Sequence, residues 1–231
     1  FGHEEALLRL DMSEYQSGDA LNRLIGSFTE NKQGILANLL RQNPYGVLLL
    51  DEFEKTNPQV LNLFLQILDE GFFSDAFGRR VNARNIIFIA TSNAAAEMIW
   101  GMVEAGRDPS TARDELVDHL IKRSLFRPEL LNRFDEIVIF HPLVGTELFQ
   151  VARLLLNRLV ARLRARGVEL ELNDDLINRV ADVGTNRVFG ARPLARFIQD
   201  KVEQAVADKI ISGEIRAGTR VEFLGDKLII L

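Results

Sequence analysis

The hydrophobic positions of this chain predict strands alternating with amphipathic helices up to about residue 142. A short strand is predicted at residues 7–12, and apolar residues recur at helical spacing between Val60 and Leu68. Strands that alternate with helices predict a parallel sheet with right-handed crossovers. Three longer apolar runs are typical of strands buried on both faces, and they lie at residues 46–50, 85–90 and 136–140.

The pattern changes after about residue 143. An amphipathic helix rich in Leu and Arg is predicted at residues 147–166, a helix begins after Asn173, and another is predicted at residues 193–212. Short alternating segments near residue 170 and at the end of the chain predict a small sheet. We therefore expect a large α/β domain over residues 1–143 and a small, mainly helical domain over residues 144–231.

Composition narrows the class of protein. The chain has 231 residues, of which 47% are hydrophobic, and it has no cysteine, which excludes a disulfide framework and a thiolate metal site. Its net charge of −5 argues against a protein that mainly binds nucleic acid. No apolar run approaches the ~20 residues that a membrane-spanning helix needs. We expect a cytoplasmic protein without a membrane partner.

Two adjacent carboxylates, Asp51 and Glu52, end the first long apolar run. In a parallel sheet, ligand chemistry lies just beyond the carboxyl ends of the strands. We interpret the pair as a Walker B motif, in which Asp51 holds Mg²⁺ through water and Glu52 polarises the water that attacks the γ-phosphate of ATP. The alternative is that the two acids begin a solvated loop, and this run alone favours neither interpretation.

Two more polar residues are placed next to predicted strands. Asn93 ends the second apolar run, where its amide can hydrogen-bond a phosphate oxygen and the attacking water; the alternative is a helix or turn cap. Arg133 lies just before the third run, where its planar guanidinium suits a phosphate in a neighbouring subunit. The alternative for Arg133 is an ion pair with Asp135 or Glu136 of the same chain.

Arg192 lies at the predicted N-terminus of a helix in the small domain, within the segment Gly190-Ala191-Arg192-Pro193. The positive end of a helix dipole favours anions and disfavours another cation. We therefore expect this side chain to reach an anionic partner. A surface salt bridge is the alternative.

These residues and their neighbours resemble the AAA+ module of the Clp-type unfoldases, most of all the second-ring module of ClpB-, ClpA- and ClpC-like proteins. The resemblance runs from about residue 1 to residue 231 and is carried by six motifs in the family's order. The motifs are GVLLLDEFEK (46–55), LFLQILDEG (63–71), GRRVNARN (78–85), TSN (91–93), FRPELLNRFDE (126–136) and FGARPL (189–194).

The resemblance implies an AAA+ P-loop-type parallel sheet with flanking helices, a small helical subdomain, and a homo-hexameric ring with ATP and Mg²⁺ between subunits. Position by position, it assigns Asp51 and Glu52 to Walker B, Asn93 to sensor one, Arg133 to the arginine finger and Arg192 to sensor two. The implied activity is ATP-driven unfolding, disaggregation or threading of unfolded or aggregated polypeptides, with a co-chaperone as an allowed partner. AAA+ modules also drive nucleic-acid motors, which the acidic balance of this chain disfavours.

The family's phosphate-binding loop and the strand before it have no counterpart in this sequence, because they would precede residue 1. A Walker B motif without that loop has no backbone cradle and no lysine for the β- and γ-phosphates. We expect the sequence to be part of a longer protein. The alternative is a non-hydrolysing AAA+ scaffold module that lacks a phosphate loop.

The loops that contact polypeptide in the family also differ here. The family's aromatic pore loop is missing just before Phe28: it is deleted, or its residues are omitted from this sequence, which we favour, or Phe28 replaces its aromatic residue. The segment Phe72–Arg80 matches the second pore loop, in which Arg79 and Arg80 line the pore or form a solvated turn. Residues 101–115 contain no hydrophobic tripeptide of the kind that binds a peptidase, so a peptidase partner is less favoured.

Overall fold

The computed structural model describes residues 7–184 and 191–231. The predicted N-terminal segment before Leu7, and Gly190 of the motif around Arg192, lie outside the described residues. The chain divides into two units, Phe1–Phe140 and His141–Leu231. No helix in the described part of the chain combines the length and the hydropathy needed to cross a bilayer.

The first unit contains a parallel sheet flanked by helices, together with small hairpins and 3-10 turns. Its elements are β1 (Leu7–Asp11), α1 (Ala20–Ile25), β2 (Gly26–Ser27), β3 (Lys32–Gln33), α2 (Ile35–Gln42), β4 (Gly46–Asp51), α3 (Pro58–Glu70), β5 (Phe72–Ser74), β6 (Arg80–Asn82), β7 (Ile86–Ala90), α4 (Ala96–Glu104), α5 (Arg113–Lys122) and α6 (Pro128–Leu131). The predicted α/β fold with a parallel sheet is confirmed.

The register of the sheet decides which residues share its edge. The strand order is β1-β4-β7, and both pairs are parallel. Asp11 lies beside Asp51, and Leu50 lies beside Ala90. The three strands therefore end at the same edge of the sheet, where open α/β sheets place their chemistry.

Helix α3 anchors the chain directly after that edge. The Asn57 side chain accepts a hydrogen bond from the Gln59 N–H, Pro58 fills the first turn, and Gly71 ends the helix with a φ of 73°. The helix buries Val60, Leu63, Phe64 and Ile67 in the core of the first unit. This packing fixes the turn that connects β4 to α3, and the turn carries Glu52.

The predicted buried strand at residues 136–140 is wrong. The structure has no strand there, and Val138 and Phe140 are 64% and 83% exposed. A strand needs a neighbour to satisfy its backbone groups, and none of the described strands lies beside this segment. The predicted burial of β7 on both faces is also wrong, because Ile87 and Ile89, which share one face of the strand, are each about half exposed.

The second unit is mainly helical with a small sheet, as predicted. Its core is formed by apolar residues of the long first helix, the second helix and the strands. A π-helical turn at Ile198–Glu203 joins the last two helices into one continuous run. The elements are α7 (Thr146–Arg164), β8 (Glu169–Glu171), α8 (Asp174–Val183), α9 (Arg192–Phe197), α10 (Gln204–Ile211), β9 (Arg220–Leu224) and β10 (Lys227–Ile230), and the sheet order is β10-β9-β8.

Candidate functional site

Three of the five predicted site residues lie at the carboxyl edge of the parallel sheet. Asp51 is the last residue of β4, Glu52 follows it, and Asn93 is three residues beyond the end of β7. Because β4 and β7 are adjacent and parallel, the two chain segments leave the sheet side by side. The Phe53 N–H donates to the Thr91 carbonyl at 2.9 Å and joins the two segments beyond the last strand pair.

Both oxygens of the Asp51 carboxylate accept hydrogen bonds. The Thr91 hydroxyl donates to Oδ1 at 2.5 Å, and the Arg9 guanidinium donates to Oδ2 at 2.5 Å. The Thr91 bond is the main reason that the pKa of Asp51 lies below its ordinary value; partial burial opposes the shift and Arg9 supports it. Asp51 is therefore an anion at neutral pH, and the solvent-facing Arg9 covers the oxygen that Thr91 leaves free.

Glu52 adopts an unusual backbone conformation. Its φ of 56° and ψ of 46° lie in the left-handed region, which non-glycine residues seldom occupy and which costs about 1–3 kcal/mol. Its N–H donates to the Thr91 hydroxyl at 3.2 Å, and its carboxylate accepts from Lys55 Nζ at 2.6 Å. The hydrogen bond to Glu52 raises the pKa of Lys55. Lys55 bonds to only one of the two carboxylate oxygens, Oε2.

Asn93 and Glu54 contact each other across the two segments. The Asn93 N–H donates to Glu54 Oε1 at 3.2 Å, while Glu54 Oε2 is buried without a hydrogen-bond partner. The residue that caps α4 is Ala95, so the Asn93 side chain does not cap that helix. Asn93 instead lines a cavity of about 460 Å³ together with His119 and Arg123. Its amide is therefore positioned beside open space.

Arg133 forms an ion pair within the first unit. Its Nε lies 2.6 Å from Asp69 Oδ1, so the ion pair is made with Asp69 and not with Asp135 or Glu136. Asp69 is in the last turn of α3. With a rise of 1.5 Å per residue, it lies about 16 Å along the helix axis from Pro58, the first residue of α3. The Arg133 side chain is half exposed, so it is accessible to another molecule.

Arg192 belongs to the second unit, where it is the first residue of α9 and is exposed. Pro193 follows it in the first turn of the helix, as the sequence predicts. A cavity of about 990 Å³ in this unit lies elsewhere, between α7 and the helical run 192–211. Its lining is mostly apolar and does not include Arg192. No pair of carboxylates at the end of a strand lines it.

The acidic residues at the sheet edge can be compared with the ligands that Mg²⁺ takes in proteins. The described residues contain no group of three or more His, Cys, Asp or Glu side chains that could enclose an ion. Mg²⁺ often binds proteins through one or two carboxylates and completes its shell with water and substrate phosphates. Asp51, ionised and at the sheet edge, supplies such a carboxylate. The neighbouring Asp11 is engaged, since its Oδ1 accepts from the N–H and the hydroxyl of Ser13.

Comparisons with known proteins agree with this geometry. Residues 1–137 match the family model described as "AAA domain (Cdc48 subfamily)". Residues 143–223 match the model described as "C-terminal, D2-small domain, of ClpB protein". This chain belongs to the Clp-type AAA+ family. The predicted resemblance is confirmed.

Curated relatives cover nearly the whole chain. "Chaperone protein ClpB" of Nitratidesulfovibrio vulgaris is 43% identical over 227 residues, which are 96% of this chain and 26% of that protein. The protein of that name in Prochlorococcus marinus is 38% identical over 238 residues, covering 99% and 27%, and that of Aquifex aeolicus is 40% identical over 231 residues, covering 96% and 23%. The chain spans about a quarter of the length of the curated relatives it matches.

The hairpin of this Clp-type module places aromatic and cationic groups together. The ring of Phe28 lies 5.9 Å from that of Phe77, the Arg79 guanidinium lies 5.0 Å from the Phe77 ring, and the Arg80 guanidinium lies 3.5 Å from the Phe72 ring. Phe28 is largely exposed. The segment at residues 26–33 and the hairpin formed by β5 and β6 at residues 72–82 therefore share one surface.

Sequence reasoning missed the residues that hold the site together: Arg9, Glu54, Lys55 and Thr91. Arg9 had a usable signal, because in β1 it alternates with the buried Leu8 and Leu10 and ends on the same face as Asp11. Thr91 had a weaker one, as the first polar residue after an apolar run. The contacts of Glu54 and Lys55 depend on the turn after β4, and a linear pattern does not encode that turn.

Proposed function

We propose that this chain is the ATP-hydrolysing module of a polypeptide-remodelling machine. The observation that carries the proposal is the grouping of Asp51, Glu52 and Asn93 at the carboxyl edge of two adjacent parallel strands in a Clp-type AAA+ chain. One ionised carboxylate, a second carboxylate beside it and one amide are among the groups that P-loop ATP hydrolysis uses. Within this module, we propose a large domain at residues 1–143 and a small domain at residues 144–231.

In this proposal, Glu52 is the residue that orients and polarises the attacking water. Its left-handed backbone directs the side chain out of the strand line, and its partner Lys55 is a flexible ammonium that can move aside. Asn93 offers a neutral amide that donates to a phosphate oxygen and accepts from the water. Its backbone is fixed by Glu54, so little reorganisation is needed at the moment of reaction.

Asp51 is the residue proposed to hold Mg²⁺ through water. Its Oδ2 faces Arg9, which is exposed and can leave, whereas its Oδ1 is held by Thr91 from the neighbouring strand. Mg²⁺, when bound, offsets the negative charge of the phosphates. Asp51 contributes an oriented, ionised oxygen, and the partial burial of this side chain limits competition from bulk water.

Arg133 and Arg192 are proposed to act on ATP from outside the Walker B edge. Arg133, half exposed and paired with Asp69, suits an arginine finger offered to a neighbouring subunit, since a guanidinium matches the charge spread over a phosphoryl group. Arg192, exposed at the start of α9, suits a sensor that reports nucleotide state to the small domain. The finger role proposed here requires a neighbouring subunit, and we propose a homo-hexameric ring with ATP between subunits.

The polypeptide substrate is proposed to contact the surface shared by Phe28 and the hairpin at residues 72–82. Exposed aromatic and guanidinium groups can bind an unfolded chain without sequence specificity, because both types of group contact apolar and peptide groups. We further propose unfolded or aggregated polypeptides as substrates, a co-chaperone as partner and a cytoplasmic location, in line with the ClpB relatives. Nucleic acid is not a proposed partner.

The test is Glu52→Gln in the full-length gene product, with the exposed surface change Glu214→Gln as its matched control. We expect ATP turnover to fall by at least about 100-fold while the Kd for ATP changes less than about threefold, since only the water-activating group is lost. Turnover within twofold of wild type would refute the assignment. A wild-type protein that shows no calorimetric binding of ATP would instead support the scaffold alternative.

The class of substrate needs a separate measurement. We expect an unfolded polypeptide such as casein to stimulate the ATPase of the full-length protein, and we expect single-stranded DNA to leave it unchanged. Stimulation by DNA alone would contradict the proposed polypeptide substrate. It would leave the hydrolytic roles of Glu52 and Asn93 intact.

A further inference from the structure

Thr91 directs all of its polar atoms at the segment that carries the two acidic residues. Its hydroxyl donates to Asp51 Oδ1 at 2.5 Å and accepts the Glu52 N–H at 3.2 Å. Its backbone N–H donates to the Leu50 carbonyl, and its carbonyl accepts the Phe53 N–H, both at 2.9 Å. Among the described residues, one side chain thus bonds to both members of the acidic pair.

The Thr91 hydroxyl accepts a backbone N–H that lies beyond the paired part of β4 and β7. The strand pairing of β4 with β7 ends at Leu50 and Ala90, one residue before Asp51. Glu52 is in the left-handed region, and the Thr91 carbonyl accepts the N–H of the following residue, Phe53, so the Glu52 N–H needs another acceptor. The Thr91 hydroxyl is that acceptor, and it stabilises a backbone conformation that costs about 1–3 kcal/mol in a non-glycine residue.

The same hydroxyl makes the two oxygens of Asp51 unequal. Oδ1 is held by a neutral donor on a fixed backbone, while Oδ2 is bonded to the exposed guanidinium of Arg9. The fixed bond sets the rotation of the carboxylate, and the exchangeable bond leaves one oxygen able to change partner.

We propose that Thr91 is a positioning residue of the ATPase site: it fixes Asp51 with Oδ2 turned outward and holds Glu52 in its left-handed turn, so that the two acidic residues act in a set geometry. This inference rests on the proposed hydrolytic function and assigns Thr91 no contact with substrate. Groups that orient a metal-binding carboxylate from behind typically account for 10–100-fold in activity or metal affinity.

The chain offers a sharp set of variants for the test. Thr91→Val keeps the shape and the β-branch and removes only the hydroxyl, while Thr91→Ser restores it. Ser92→Ala is the matched control, because the Ser92 hydroxyl accepts from the Ala94 N–H and bonds to neither acidic residue. All variants are made in the full-length protein, and cooperative thermal unfolding is checked first.

For Thr91→Val we expect kcat for ATP to fall about 10–100-fold and KM to rise about fivefold, because the Mg²⁺-dependent part of ATP binding is weakened. Thr91→Ser should recover kcat to within about threefold, and Ser92→Ala should match wild type. A second measurement does not depend on turnover: the affinity for a fluorescent ATP analogue is compared in Mg²⁺ and in EDTA. The gain in affinity that Mg²⁺ gives should be at least about fivefold smaller in Thr91→Val than in wild type, and unchanged in Thr91→Ser and Ser92→Ala. The proposed positioning role is supported if Thr91→Val loses the gain in affinity that Mg²⁺ gives and Thr91→Ser recovers it.

Two results would overturn this proposal. One is a Thr91→Val protein with kcat and Mg²⁺ effect within twofold of wild type while Glu52→Gln is inactive; the proposed function would then stand without Thr91. The other is loss of cooperative unfolding in both Thr91→Val and Thr91→Ala, because Thr91 would then serve the fold alone. If Glu52→Gln stays active, the proposed function itself fails, and the two failures are thereby distinguished.

Discussion

Asp75 is the buried charge on which the hairpin at residues 72–82 depends, and changing it to Asn tests that dependence. Its side chain is only 1% exposed. Oδ1 accepts the N–H groups of Phe77 and Arg79 at 2.9 Å each, and Oδ2 accepts from Arg41 at 2.7 Å and from Arg79 Nε at 2.9 Å. Asp75→Asn keeps the Oδ1 acceptor and places an amide N–H₂ donor against two guanidinium groups.

The expected loss follows from those contacts. A hydrogen bond to a charged group contributes about 1.5–3 kcal/mol when it is buried, and two are lost. The arginines are 30% and 49% exposed, so water replaces part of the interaction. We expect the free energy of unfolding of the first unit to fall by about 3 kcal/mol. Asp75→Ala also leaves two backbone N–H groups without an acceptor, so its free energy of unfolding should fall by about 4–5 kcal/mol.

The dependence on pH has a definite sign. Burial raises the pKa of Asp75, but hydrogen bonds from Arg41, Arg79 and the backbone outweigh it and place the pKa far below the ordinary value of 3.8. A carboxyl whose pKa is lowered by folding stabilises the fold above its unfolded pKa and loses that effect as pH falls towards its folded pKa. The difference between wild type and Asp75→Asn should stay constant from pH 8 to about pH 5 and shrink below about pH 4.

Urea titration followed by the fluorescence of the single tryptophan, Trp100, reports on the first unit. With a slope of about 2 kcal/mol/M, Asp75→Asn should lower the midpoint by about 1.5 M. Asp114→Asn is the matched control, because that carboxylate is 98% exposed, and it should shift unfolding by less than about 0.5 kcal/mol. An Asp75→Asn midpoint within 0.2 M of wild type would refute the reasoning, as would a difference that grows on acidification.

Three other variants test single contacts. Asn173→Ala removes the cap of α8 and should lower the free energy of unfolding of the second unit by about 1 kcal/mol in urea titrations; an unchanged midpoint would contradict it. Glu54→Ala removes the acceptor of the Asn93 N–H and should lower kcat about 10-fold in steady-state ATPase assays, whereas Glu54→Gln, which keeps an acceptor, should stay within threefold. Arg133→Ala should lower kcat at least about 100-fold with little change in ATP affinity, and Asp69→Asn, which only frees Arg133, should remain active. Equal activity of the Arg133 and Asp69 variants would argue against a finger.

The sequence by itself determined the class of fold and the edge where the chemistry lies. Apolar runs ending in Asp51-Glu52 and in Thr91-Ser92-Asn93 were sufficient, because parallel strands bring their carboxyl ends to one edge whatever the details of packing. Helix boundaries were equally accessible, since Asn57-Pro58 and Gly71 act through local backbone chemistry. The order of the motifs then indicated the family, which the family models confirm.

Burial and pairing were beyond the linear pattern. The apolar run at residues 136–140 has the composition of a strand, yet a strand exists only where a neighbour satisfies its backbone groups. Arg133 illustrates the same limit for charge: nearby acids in the sequence suggested Asp135 or Glu136, but its partner Asp69 comes from a helix packed across the unit. Proximity in space, set by the whole core, decided both.

The details of the site were decided by tertiary structure alone. Which donors reach Asp51 depends on the register of three strands, which puts Arg9 on one side of the carboxylate and Thr91 on the other. The left-handed turn at Glu52 appears only when the chain must leave β4 and enter α3 within a few residues. The sequence supplied the acidic pair, and the packing of neighbouring strands fixed the orientation of both carboxylates, since hydrogen-bond geometry is a property of three-dimensional contacts.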